Sequence, residues 1–160
     1  MSTVYLGLGS NLGERSHLIA NAIQHIEEQI GHVVRQSALY ETEPWGFSSP
    51  NKFLNSVICV ETTLTPRQVL QATQQIERQL GRTRKTSHLY SLDSGSSYPN
   101  YSDRPIDIDI LLFDDLRVDE PDLQIPHPLM YERDFVMCPL QEILQDDKVL
   151  KKKQINLVYR

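Results

Sequence analysis

The segment Ile106-Asp107-Ile108-Asp109-Ile110, running on into Leu111-Leu112-Phe113, constrains this chain more than any other. Isoleucine at alternate positions favours a strand, and strand side chains alternate between faces. Ile106, Ile108 and Ile110 therefore point into a core, while Asp107 and Asp109 share the opposite face with Cα atoms about 6.5–7 Å apart. Unpartnered, the two carboxylates would repel and destabilise the strand. At that spacing they can bracket metal ions ~3.5–4 Å apart, as in two-metal phosphoryl transfer. The plainer reading is a solvated sheet face with two incidental aspartates. It is the weaker one, because cations stand nearby in the sequence.

Those cations are Arg82, Arg84 and Lys85, directly after Gly81, and Arg104, three residues before Asp107. Arginine suits fork-like contacts with phosphate oxygens. Alone, Arg82 to Lys85 would read as favourable charge at a helix C-terminus. Beside a carboxylate pair, they complete a minimal polyphosphate site.

The rest of the chain supplies a frame. Thr3 to Leu8 reads as a strand. Leu18, Ile19, Ala22, Ile23, Ile26 and Ile30 follow helical spacing, with Gly31 as the expected C′ residue. Val33 to Tyr40 reads as a second strand, Thr42 to Lys52 as a loop and Phe53 to Val60 as a third strand. Thr65-Pro66 is an N-cap followed by proline, opening a helix whose stripe is Val69, Thr73, Ile76 and Leu80. Shorter helical patches surround Met130 and Leu140. The order β-α-β-β-α-β plus further helix is that of the α+β ferredoxin-like sandwich. The 160 residues suit one domain spanning 1–160. The serine-rich stretch Thr86 to Asp103 has no periodicity and reads as a long loop, a possible lid over a nucleotide.

Several classes are disfavoured. No apolar run nears the ~20 residues of a membrane helix, and the N-terminus has no signal-peptide pattern. The expectation is a cytoplasmic protein with reduced Cys59 and Cys138. A net charge of −5 argues against a general nucleic-acid binder. Gly7-Leu8-Gly9-Ser10-Asn11-Leu12-Gly13 resembles a dinucleotide fingerprint, but its third glycine is one residue late. No G-x-x-x-x-G-K-[ST] occurs, so ATP would need something other than a P-loop. Phe53 and Asn55 share a strand face, an aromatic ring beside an amide, which suits a flat heterocycle; a core Phe and a turn Asn would look the same. His127, between Pro126 and Pro128, is either a structural cap or a phosphate contact.

Taken jointly, Gly9-Ser10-Asn11-Leu12, Tyr40 to Gly46, Phe53-Leu54-Asn55, Gln74 to Lys85, Arg104 to Leu111, Pro126-His127, Arg133 and Phe135 resemble the 6-hydroxymethyl-7,8-dihydropterin pyrophosphokinases of folate biosynthesis. The resemblance implies transfer of pyrophosphate from ATP to the pterin hydroxymethyl group. It implies that Asp107 and Asp109 bind two Mg2+ ions, and that Arg82, Arg84 and Arg104 meet the triphosphate. Gln74, Glu77, Ile110, His127 and Arg133 would line the ATP site, with Tyr101 in place of a usual tryptophan. Phe53 and Phe135 would sandwich the pterin, and Thr42, Trp45 and Asn55 would surround its edge. The implied partners are ATP and the pterin, with no nucleic acid and no membrane, for a monomer. Departures are Tyr101-Ser102-Asp103 where Trp-Gly-Pro is usual, Glu43 for proline, Pro128 for tyrosine and Asp122 for an arginine. A palm-like nucleotidyl transferase also sets paired aspartates on such a sheet, but its third carboxylate and basic surface are not evident. A non-catalytic ligand-binding domain would leave the aspartates and arginines unexplained.

Overall fold

The computed structural model describes residues 1–81, 87–90, 99–100 and 103–144, with the side chains of 87–90 and 99–100 excepted. Apolar alternation produces β1 (Ser2–Ser10), β4 (Phe53–Thr62) and β7 (Asp107–Phe113). With β2 (Gly31–Gln36) these form an antiparallel sheet in the order β2-β4-β1-β7, and β3 (Tyr40–Thr42) also pairs with β4. Helices α1 (Arg15–Gln29) and α2 (Pro66–Gln79) supply Ile19, Ala22, Ile26, Val69 and Ile76 to a core with Val4, Leu6, Leu8, Ile58, Val60, Ile108 and Ile110. Helix α3 (Asp134–Ile143) buries Met137, Leu140 and Ile143 with Tyr5, Cys59, Leu111 and Leu112. The fold is the expected ferredoxin-like α+β sandwich. Among the described residues, no helix is long and apolar enough to cross a membrane.

Local chemistry explains the boundaries. Thr65 accepts the Gln68 N–H while the Gln68 side chain accepts the Thr65 N–H, a full capping box. Gly81 follows α2 at φ 100°, the left-handed conformation a C′ glycine supplies. Gly31 stands at the expected C′ position, directly after the Ile30 C-cap of α1, but without a left-handed φ. It opens β2, where a Cβ would sit 2.0 Å from the Glu61 carbonyl oxygen, so close strand approach demands glycine. The expected Val33 to Tyr40 strand is interrupted at Ser37, whose hydroxyl accepts the Val57 N–H at 2.9 Å and meets the Ser56 hydroxyl at 3.1 Å. Within the expected loop from Thr86 to Asp103, β5 (Ser87–Tyr90) pairs with β6 (Pro99–Asn100). A hairpin of β8 (Val118–Glu120) and β9 (Leu123–Ile125) was not expected; it leads to a cis Ile125-Pro126 bond and the 3-10 turn Met130–Glu132.

Strand β7 lies at the sheet edge, where backbone donors need partners from outside the sheet. Glu77, buried on α2, supplies one: its Oε2 accepts the Ile108 N–H at 2.8 Å. Ile108 lies between the two aspartates, so this bond fixes the backbone that carries both. Glu77→Ala strands a buried donor and should cost about 1–3 kcal/mol of stability. Glu77→Gln keeps an acceptor and should recover most of it. Urea midpoints that match wild type for both variants would refute this role.

Candidate active site

The face of the sheet opposite α1 and α2 is only partly covered by α3, and the uncovered part is a trough. Two rows of paired residues cross its floor. Asn55 on β4 pairs with Gly9 on β1, which pairs with Asp107 on β7; one step along, Val57, Gly7 and Asp109 repeat the pattern. Gly7 and Gly9 alternate with Leu6 and Leu8, which point into the helical core. The middle strand thus offers no side chain to the trough, and backbone floors it. A Cβ on Gly9 would come 3.1 Å from Asn55 Oδ1 and 3.6 Å from the Phe53 ring. The resulting cleft is lined by Thr42, Trp45, Phe53, Asn55, Arg104, Asp107, Asp109, Arg133 and Phe135, together with Gly7, Leu8, Gly9, Glu43, Ser56, Val57, Leu111 and Val136.

One wall is anionic and the other aromatic, and guanidinium groups span the ends. Arg104 is buried; its Nη1 lies 3.4 Å from Asp107 Oδ2, and its Cζ sits 5.2 Å from the Phe53 ring centroid and 5.9 Å from that of Phe47. Phe47 meets Phe53 edge-on at 6.1 Å. Arg133, also buried, has its Cζ 4.5 Å from the Trp45 centroid and 5.6 Å from that of Phe135. Such planar cations on aromatic faces are favourable cation–π contacts. Asn55 Nδ2 donates to Thr42 Oγ1 at 2.7 Å, which orients the amide along the aromatic wall.

Of the sequence-predicted residues, the trough gathers Asp107, Asp109, Arg104, Arg133, Thr42, Trp45, Phe53, Asn55 and Phe135. Gln74, Glu77 and Ile110 fall outside its lining: Glu77 and Ile110 are buried on the helical side of the sheet, and Gln74 is half-buried on α2. His127 is buried beside β7, its backbone N–H donating to the Leu111 carbonyl at 3.0 Å and its Nδ1 accepting the Leu129 N–H at 3.3 Å. Arg82, Arg84 and Tyr101 lie outside the described residues, as does most of the proposed lid segment. Sequence reasoning missed Phe47 and the Asn11, Asn51 and Asp103 cluster behind Arg104 as site residues. A Phe in a Gly/Pro/Ser-rich loop flanking the Phe53 strand was the available signal for Phe47.

The donor set suits magnesium. Mg2+ is commonly held by one or two carboxylates with substrate phosphates and water completing its octahedron. Asp107 and Asp109 on one strand face provide the two carboxylates. Among the described residues no group of three or more His, Cys, Asp or Glu side chains converges, so a polyphosphate would supply the remaining ligands.

The family described as 7,8-dihydro-6-hydroxymethylpterin-pyrophosphokinase (HPPK) matches residues 5–145. A 2-amino-4-hydroxy-6-hydroxymethyldihydropteridine pyrophosphokinase of Porphyromonas gingivalis is 46% identical over 144 residues, covering 89% of this chain and 91% of that protein. The Bacillus subtilis protein of the same name is 38% identical over 142 residues, with 88% and 77% coverage. A solved HPPK-DHPS in complex with substrates superposes with a TM-score of 0.67 at 14% identity, over 89% of this chain and 40% of that one. That likeness concerns the fold, and the chain spans about two-fifths of the solved protein's length.

Proposed function

Because the chain belongs to the 7,8-dihydro-6-hydroxymethylpterin-pyrophosphokinase family, we propose that its glycine-floored trough is where a pterin hydroxyl meets the β-phosphorus of ATP. The enzyme is a transferase of folate biosynthesis that moves a pyrophosphoryl group from ATP to 6-hydroxymethyl-7,8-dihydropterin. The observation that carries the site assignment is the row Asn55–Gly9–Asp107: amide, bare floor, carboxylate.

A flat pterin lies against Phe53 and Phe135, with Asn55, Thr42 and Trp45 around its amide edge. Its hydroxymethyl arm crosses the floor toward the aspartates. The hydroxyl oxygen bonds to the β-phosphorus as the bond from that phosphorus to the bridging oxygen breaks, and AMP leaves with the bridging oxygen. Asp107 and Asp109 would hold magnesium, two ions in this reading, which when bound neutralises charge on the triphosphate. Arg104, and Arg82 and Arg84 beyond the described residues, would clamp phosphate oxygens; Arg133, His127, Gln74, Glu77, Ile110 and Tyr101 would complete the ATP side. Alignment and charge neutralisation supply most of the rate in such a transfer. Asp107 and Asp109 are the proton acceptors available on that wall. We read residues 1–160 as one domain acting as a monomer in the cytoplasm, with the five-stranded sheet organising the described residues.

The test is product identity. ATP with the dihydropterin should give AMP and a pterin diphosphate, and AMP formation should fall to background without the pterin. A palm-type nucleotidyl transferase would instead release pyrophosphate and attach a nucleoside monophosphate to its acceptor, and that outcome would end this reading.

The aromatic wall can be tested separately. Phe53→Ala and Phe135→Ala should each weaken pterin binding by about 0.5–1.5 kcal/mol from lost stacking, plus the lost burial. The affinity for a non-hydrolysable ATP analogue should change much less. Equal losses for both ligands by calorimetry would make these rings core residues instead.

A further inference from the structure

Behind Arg104 lies a polar cluster that the reaction itself does not use. Asp103 Oδ1 accepts from Asn11 Nδ2 at 2.6 Å, and its Oδ2 accepts from Asn51 Nδ2 at 3.0 Å. Asn11 Nδ2 also donates to the Asn51 carbonyl at 3.2 Å. On its other side, Asn11 Oδ1 accepts the Arg104 N–H at 2.7 Å, and the Asn11 N–H donates to the Arg104 carbonyl at 3.0 Å. Three separate segments meet here: the turn after β1, the loop between β3 and β4, and the lead-in to β7. Burial raises the Asp103 carboxyl, but hydrogen bonds from Ser49, Asn11 and Asn51 and the Arg104 charge outweigh it and leave its pKa below the usual range.

The donor and acceptor logic is directional. An ionised carboxylate only accepts, so it draws both the Asn11 and Asn51 amides toward it NH2-first. Asn11 must then turn its Oδ1 to the opposite side, where it receives the Arg104 N–H. Asn51 ties in the loop that carries Phe47, one of the two rings beneath the Arg104 guanidinium. We propose that Asp103 is a positioning residue for the reaction, which orients Asn11 and Asn51 and thereby seats Arg104 between Phe53 and Asp107.

This inference rests on the reading of Arg104 as a phosphate clamp, and the experiment separates the two. Asp103→Ala, Arg104→Ala and the double variant are compared in steady-state turnover with ATP, magnesium and the dihydropterin. A misplaced catalytic group costs up to about 100-fold for a 1 Å error; for Asp103→Ala a fall of about 10-fold in kcat is expected. In the Arg104→Ala background the same substitution should cost less than about 2-fold, since residues acting through one another are non-additive. Asp103→Asn, of equal size, must turn a donor toward Asn11 or Asn51, and should lose most of what Asp103→Ala loses while unfolding at a temperature near wild type. Independent losses that multiply in the double variant would overturn the positioning role. So would wild-type turnover in Asp103→Asn. If Arg104→Ala alone turns over like wild type, the clamp reading fails, and this proposal with it; if only Asp103 proves silent, the clamp reading stands.

Discussion

Alanine at Asp107 or at Asp109 should leave a folded protein whose turnover has fallen about 10³-fold or more, since each substitution removes charge stabilisation from a phosphoryl transfer. Neither residue is core: both side chains are half-buried on the trough wall. Asp107 faces the buried Arg104 at 3.4 Å, so its loss takes a partner from a buried cation and lowers the unfolding temperature. Loss of either aspartate also removes one of two neighbouring like charges from the strand face. Wild type should gain thermal stability from magnesium with an ATP analogue, and both variants should lose most of that gain. Turnover within tenfold of wild type in both variants would remove the aspartates from the chemistry.

Arg104→Ala should lower kcat about 100-fold and raise the KM for ATP. Arginines that clamp transferring phosphoryl groups are worth about 10³–10⁵-fold where one bears the load alone; here Arg82 and Arg84 are expected to share it. Arg104→Lys should recover little. An ammonium keeps the charge, but it has neither the planar fork for two phosphate oxygens nor the flat face that stacks on Phe53. A lysine variant within threefold of wild type would reduce Arg104 to a point charge.

Much of this architecture is legible in local patterns. Ile106, Ile108 and Ile110 alternate with the aspartates, and the structure separates them onto the two faces as alternation requires. Thr65-Pro66 marks a helix start because capping is chemistry within four residues. Alternation fails where a neighbouring strand imposes a bulge: Tyr5 pairs with Leu112 but Leu6 with Ile110, so Leu111 is the extra residue. Leu111 and Leu112 then both pack toward α3, and Phe113 joins the helical core. The second constraint on Gly31 is not legible locally, because the Glu61 carbonyl that excludes a side chain there lies thirty residues away in sequence. Hairpin β8–β9, with three residues per strand, is too short to show a period. The Asp103 cluster joins residues 52 and 92 positions apart, and no window of sequence contains it.

The bare floor of β1 has an evolutionary corollary. Glycines face the trough and leucines face the helices only because of parity along Leu6-Gly7-Leu8-Gly9. Loops that do not border the trough can gain or lose a residue more readily than the strands they connect. In β1, deleting one residue upstream of Gly9 while the strand keeps its pairing would swing leucines onto the floor and glycines into the core, since a one-residue slip reverses every side chain. Lineages descending from this enzyme can therefore vary in the loops that do not border the trough, while the length of their first strand is held fixed by its arithmetic.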